Sequence, residues 1–159
     1  MDVGSTPGAG STFTVFLPRS GEALEMLESH APNLPCGNGE HVLVVDDEEA
    51  LVRLTARTLE ELGYLPVSFT SGVAALAAFR DDPSHFDALI ADERMPHISG
   101  CALVREVRAS RRTMPILLMS GYGGTELTER ALEAGADGVL KKPLSAHDLA
   151  TGLARVLQR

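Results

Sequence analysis

From residue 41 onward, a short apolar run followed by an amphipathic stretch recurs five times before residue 158. No other feature restricts the fold of this chain so strongly. The runs are Val42-Leu43-Val44-Val45, residues 65–69, Ala88-Leu89-Ile90-Ala91, Pro115-Ile116-Leu117-Leu118-Met119 and residues 138–141. They are too short for buried helices and are bounded by turn residues, so they read as buried parallel strands. Spacing predicts helices over 48–62, from Ser71 to about 80, over 98–108 and 125–134, and after Ser145. The first turns Leu51, Val52, Thr55, Leu59 and Leu62 inward and is closed by Gly63; the third turns Ile98, Cys101, Val104 and Val107 inward. The last buries Leu149, Leu153, Val156 and Leu157. Ser71 is a helix cap, and Ser145-Ala146-His147-Asp148 has the form of a capping box. Parallel strands joined by helical crossovers need helices on both faces. The fold class is therefore α/β, a doubly wound five-stranded parallel sheet of flavodoxin-like order 2-1-3-4-5.

In that order the topological switch lies between the first and third strands, where ligands of open α/β sheets bind. Asp46-Asp47 follows the first strand, and Asp92 ends the third. A lone acid at a strand end reads equally as a solvated loop residue or a helix cap. Three together would repel one another, and their pKa values would rise. A divalent cation removes that cost, and Mg²⁺ favours oxygen ligands while keeping several waters. Asp47 and Asp92 suit direct ligation, with a backbone carbonyl near Arg94, and Asp46 suits contact through water. Ser120 ends the fourth strand and offers a hydroxyl. Lys142 follows the fifth and offers an ammonium before Pro143. A carboxylate nucleophile, a metal, a hydroxyl and an ammonium are the equipment for receiving a phosphoryl group, whose transfer depends on positioning and charge neutralisation.

Asp46-Asp47, Asp92-x-x-Met95-Pro96-x-x-x-Gly100, Ser120-Gly121 and Lys142-Pro143 occur in order. By these motifs residues 41–158 resemble the receiver domain of two-component response regulators. The resemblance implies that Asp92 is the phosphoacceptor, Asp46 and Asp47 the acidic pair for Mg²⁺, Ser120 the switch hydroxyl and Lys142 the phosphate-contacting lysine. It implies a phosphohistidine donor on a histidine kinase or a histidine phosphotransfer domain. It also implies that the domain catalyses its own aspartyl phosphorylation and dephosphorylation. One position departs from the family pattern. The aromatic residue usual three places before the lysine is Val139 here, which puts the readout of phosphorylation in question; Tyr122 is a substitute the sequence offers.

Residues 1–39 differ in texture. Positions 4–10 read as loop or turn, rich in Gly, Ser, Thr and Pro. Residues 11–17 have strand composition, with Phe13, Val15 and Leu17 on one face and Pro18 ending the run. A short helix over 22–30 and a linker over 31–39 follow. Pro7-Gly8-Ala9-Gly10-Ser11-Thr12-Phe13-Thr14-Val15-Phe16-Leu17-Pro18 resembles the closing Gly-rich turn and last strand of a histidine-kinase ATPase domain. The implied organisation is a kinase remnant over 1–19, a linker over 20–39 and a receiver over 40–159, from the C-terminal part of a hybrid histidine kinase without its ATP site. An open strand edge tends to pair with another chain. The arm is thus expected to dimerise the protein or to fold onto its own receiver.

The formal charge of −8 argues against a nucleic-acid partner, which requires clustered Lys and Arg. Cys36 and Cys101 form no CxxC pair and read as reduced thiols of a cytoplasmic protein. No run approaches the ~18 apolar residues of a membrane span, although a parent protein can be anchored through other segments. Two other functions compete with the phosphoacceptor. A pseudo-receiver, serving only as an interaction module, usually lacks the acceptor, an acid of the pair or the lysine, and none is lacking here. A flavin- or nucleotide-binding protein needs a phosphate-cradling loop after the first strand, where Asp46-Asp47-Glu48 would repel phosphate.

Overall fold

The computed structural model describes residues 2–8, 10–16, 34–121 and 125–158. The chain divides into two compact units, Met1–Pro32 and Asn33–Arg159. The helix expected over 22–30, Leu17 and Tyr122 lie outside the described residues.

In the first unit, β1 (Asp2–Thr6) pairs antiparallel with β2 (Gly10–Thr14), in a register running from Asp2 opposite Thr14 to Thr6 opposite Gly10. Residues 4–6 are thus strand, where the sequence suggested loop. The reversal is confined to the turn between the strands, in which Gly8 takes φ +79°, and Gly10 opens β2 at φ +96°. These are left-handed conformations that glycine adopts without a Cβ penalty. The Ser5 and Ser11 hydroxyls share a 2.8 Å hydrogen bond across the pair. The ladder ends at Thr14, short of the expected residue 17. Every residue of both strands is exposed, so the hairpin has no core of its own.

The second unit has the expected architecture. Its elements are β3 (His41–Val45), α1 (Glu49–Glu61), β4 (Leu65–Phe69), α2 (Gly72–Asp81), β5 (Ala88–Asp92), α3 (Gly100–Ser110), β6 (Ile116–Ser120), α4 (Thr125–Ala134), β7 (Gly138–Lys141) and α5 (Ala146–Leu157). The sheet is parallel in the order β4-β3-β5-β6-β7, which is 2-1-3-4-5 within this unit. Alternation along the strands sends side chains to two cores. Leu43, Val45, Leu89, Ala91, Ile116 and Leu118 pack beneath α2, α3 and α4. Val42, Val44, Ala88, Ile90, Leu117 and Met119 pack beneath α1 and α5. Burying one such large side chain contributes about 1.5–3 kcal/mol.

Ser71 and Ser145 cap their helices as the sequence indicates, and Ser99 caps α3. The Ser71 and Ser99 hydroxyls accept from the backbone N–H groups of Ala74 and Ala102. Ser145 and Asp148 complete a reciprocal capping box. α3 begins at Gly100, two residues after the expected Ile98, because Ser99 is the cap. Residues 34–40 lie within this compact unit. Gly37 N–H donates to Leu62 O and Gly39 N–H to Gly63 O, and Leu34 packs against the α1/α5 core.

Gly100 fixes the approach of α3 to the acceptor strand. A Cβ there would lie 2.5 Å from the Asp92 carbonyl oxygen and 2.9 Å from Glu93 Cα, both backbone atoms that cannot yield cheaply. Overpacking of this kind costs about 1–3 kcal/mol. Gly100→Ala is expected to lower the urea midpoint by a corresponding amount with an unchanged slope. An unchanged midpoint would mean that α3 can shift freely.

Candidate functional site

The register of the sheet decides which side chains meet. Val45 of β3 pairs with Ala91 of β5, so one residue further on Asp46 and Asp92 stand level at adjacent strand ends. Ser120 of β6 pairs with Lys141 of β7, and Lys142 N–H donates to Ser120 O at 2.8 Å. Four consecutive strands therefore deliver Asp46, Asp92, Ser120 and Lys142 to one edge. The Lys142–Pro143 peptide bond is cis.

Lys142 is the centre of this group. Its Nζ lies 2.5 Å from Asp46 Oδ2 and 2.6 Å from Asp92 Oδ1. Both carboxylates are buried, and the lysine side chain is only 19% exposed. The remaining oxygens are held by backbone donors, Glu48 N–H to Asp46 Oδ1 at 3.0 Å and Arg94 N–H to Asp92 Oδ2 at 2.6 Å. Burial pulls the Lys142 pKa down. The hydrogen bonds and charges of Asp46 and Asp92 outweigh it and hold the ammonium above the ordinary lysine range.

Asp47, by contrast, is exposed. With Glu93, Arg94, Ser120 and Arg130 it lines a cleft of about 650 Å³. A second cavity of about 320 Å³, lined by Leu51, Leu54, Leu144 and the Asp46–Lys142 pair, opens on the α1 side. The acceptor loop carries one unusual backbone conformation, His97 at φ +68°.

Among the described residues, no three His, Cys, Asp or Glu side chains are gathered closely enough to hold a metal by themselves. Lys142 performs the neutralisation of Asp46 and Asp92 for which the sequence suggested a cation. The donor chemistry nonetheless suits Mg²⁺. Asp46, Asp47 and Asp92 offer only hard carboxylate oxygens, and this ion needs one or two carboxylates beside waters and phosphate.

Sequence reasoning missed Glu93. Its side chain is 8% exposed. Oε2 accepts from Cys101 N–H at 2.8 Å, satisfying an orphan donor of α3. Oε1 faces Arg130 of α4 at 3.4 Å. Burial, and then the Glu93 carboxylate, push the Cys101 thiol up to about 11, so it is inert at neutral pH. Only its position directly after Asp92 could have singled out Glu93, and neither periodicity nor spacing indicates Arg130.

A parallel sheet with a charged lysine bridging two carboxylates at its C-terminal edge is the arrangement of a phosphoryl-accepting signalling domain. The sequence matches the response regulator receiver domain over residues 42–154. The chain belongs to this family, the receiver domains of two-component systems, whose general function is phosphoryl acceptance. As a class these domains bind Mg²⁺ at the phosphorylation site. Sensor kinase CckA of Brucella abortus (strain 2308) is 32% identical over 169 residues, covering 98% of this chain and 17% of that protein. Sensor protein EvgS of Escherichia coli (strain K12) is 30% identical over 160 residues, covering 99% of this chain and 13% of that protein. The chain thus spans a small part of either relative. A receiver domain protein from Clostridium thermocellum superimposes with TM-score 0.72 at 28% identity, covering 76% of this chain and 95% of that one. Chemotaxis protein CheY4 of Vibrio cholerae gives 0.70 at 31% identity, covering 75% and 99%.

The raised Lys142 pKa has a definite sign. Its contribution to stability is complete below the unfolded-state value of about 10.4 and is lost as pH rises through the higher folded-state value. The urea midpoint of the wild type should therefore fall at alkaline pH more steeply than that of Lys142→Met. Identical alkaline slopes would show that the bridge contributes nothing to stability.

Proposed function

We propose that this receiver accepts a phosphoryl group from a phosphohistidine donor onto Asp92. The observation that carries the reading is the Lys142 ammonium lying between Asp46 and Asp92. The ammonium is the counter-charge of the Asp92 carboxylate, and it remains in place to meet the phosphoryl oxygens. An Asp92 oxygen attacks phosphorus, the N–P bond of the donor breaks, and its electron pair returns to the imidazole nitrogen. The Ser120 hydroxyl, at the rim of the cleft, suits a phosphoryl oxygen. Asp47 and Asp92, with a carbonyl near Arg94, would hold Mg²⁺, and Asp46 would contact it through water. Bound there, the ion would neutralise charge on the transferring group. The apolar groove of Leu51, Leu54 and Leu144 beside Lys142 suits a helical donor such as a histidine kinase or phosphotransfer domain.

Intact-mass measurement after incubation with acetyl phosphate and Mg²⁺ tests this reading. The wild type should gain one phosphate, and omission of the cation or Asp92→Asn should abolish the gain. An undiminished gain in Asp92→Asn would refute the assignment.

We further propose that residues 1–19 are the end of a histidine-kinase ATPase domain, 20–39 a connection and 40–159 the receiver, within a larger hybrid kinase. Alignments to both sensor proteins run through nearly the whole chain, arm included, and support this. A cytoplasmic location agrees with the reading, and among the described residues no helix is long and apolar enough to cross a membrane. The exposed Val3, Phe13, Val15 and Phe16 would then meet a larger sheet, or a second copy in its absence. A version beginning at residue 34 is expected to unfold at the wild-type urea midpoint, because both core clusters of the receiver are built from residues 34 and later. A large loss of stability would show that the arm is part of the receiver.

A further inference from the structure

We propose that Arg130 is the group on α4 that holds the phosphoryl oxygens once Asp92 is modified, leaving Glu93 and drawing α4 toward the acceptor. The inference rests on the reading of Asp92 as acceptor, and it supplies what that reading lacks. The usual aromatic switch position is occupied by Val139, which is half-buried on β7 and packed into the core beneath α2–α4. A valine locked in packing cannot swing between two environments.

Glu93 and Arg130 are placed for the task. Glu93 adjoins Asp92 in the chain, and Arg130 lines the same cleft as Ser120 and Asp47. Their pair is long, at 3.4 Å, and the arginine side chain is 57% exposed. At this length, with the arginine end in solvent, the pair is a weak tether. Glu93 is the fixed partner, because its other oxygen is bound to Cys101 N–H at the start of α3. The arginine is the partner free to move. A phosphoryl group on Asp92 brings additional negative charge and three acceptor oxygens into the cleft. The planar guanidinium fork matches such oxygens in a bidentate manner. Glu93 has only one oxygen within reach of it, so the phosphoryl group wins the competition. The exchange pulls on the middle of α4 while α3 stays capped.

Beryllofluoride, which adds to an aspartyl carboxylate as a phosphoryl stand-in, provides the test. Titration in the presence of Mg²⁺ is followed by the amide NMR shifts of α4. Arg130→Ala is expected to weaken binding about two- to fivefold, the size of an exposed ion pair, and to remove the α4 shifts. Arg130→Lys should restore part of the affinity, since it returns the charge without the fork. Glu93→Gln should tighten binding, because it releases the arginine in advance. Wild-type affinity together with wild-type α4 shifts in Arg130→Ala overturns the inference while leaving the acceptor reading intact. A wild type that neither binds beryllofluoride nor gains mass from acetyl phosphate overturns the acceptor reading, and this inference with it.

Discussion

Two buried carboxylates side by side at the end of a sheet are unstable without a counter-charge, and the receiver unit is arranged around the lysine that supplies it. Asp46 and Asp92 are level because β3 and β5 pair in register. Their charges cannot be relieved by water, since both are buried. Lys142 arrives from β7, two strands beyond β5, and reaches across to both. One ammonium thereby ties together the ends of strands far apart in sequence. A buried pair of this kind is weak evidence for stability, because desolvation consumes much of the attraction. Its value lies in holding the two carboxylates and the lysine in one fixed geometry at the sheet edge.

The acceptor loop is held by several independent restraints. Arg94 N–H fastens the free oxygen of Asp92, and Glu93 N–H donates to Met119 O on β6. Gly100 N–H donates to Glu93 O, and the Glu93 side chain caps α3. The missing Cβ of Gly100 lets α3 settle against this loop. The restraints fall on the α3 side. On the α4 side the Glu93–Arg130 pair, long at 3.4 Å, spans the cleft.

The hairpin and the receiver show two different ways of satisfying a strand. The central receiver strands β3, β5 and β6 are buried on both faces and owe their order to packing. The hairpin strands bury nothing and depend on a local turn and backbone pairing. An isolated hairpin is marginal in water. Its exposed Phe13 and Val3 therefore offer apolar surface that additional protein would cover.

Sequence alone determined the parallel sheet, its order and nearly every helix, because each buried strand is written as a short apolar run and each helix as a 3.6-residue period. It also supplied Asp46, Asp47, Asp92, Ser120 and Lys142, since strand ends of an open α/β sheet are where side chains converge. It did not determine how those charges are balanced. The register placed Asp46 and Asp92 level, and only then could one lysine bridge them while Asp47 turned to solvent. Nor could it reveal β1, whose Gly- and Ser-rich residues 4–6 have loop composition and become strand only by pairing with β2. Glu93 and Arg130 were equally hidden. They are far apart in sequence, lie on different elements and follow no period, so only the packing of α4 beside the acceptor loop brings them together.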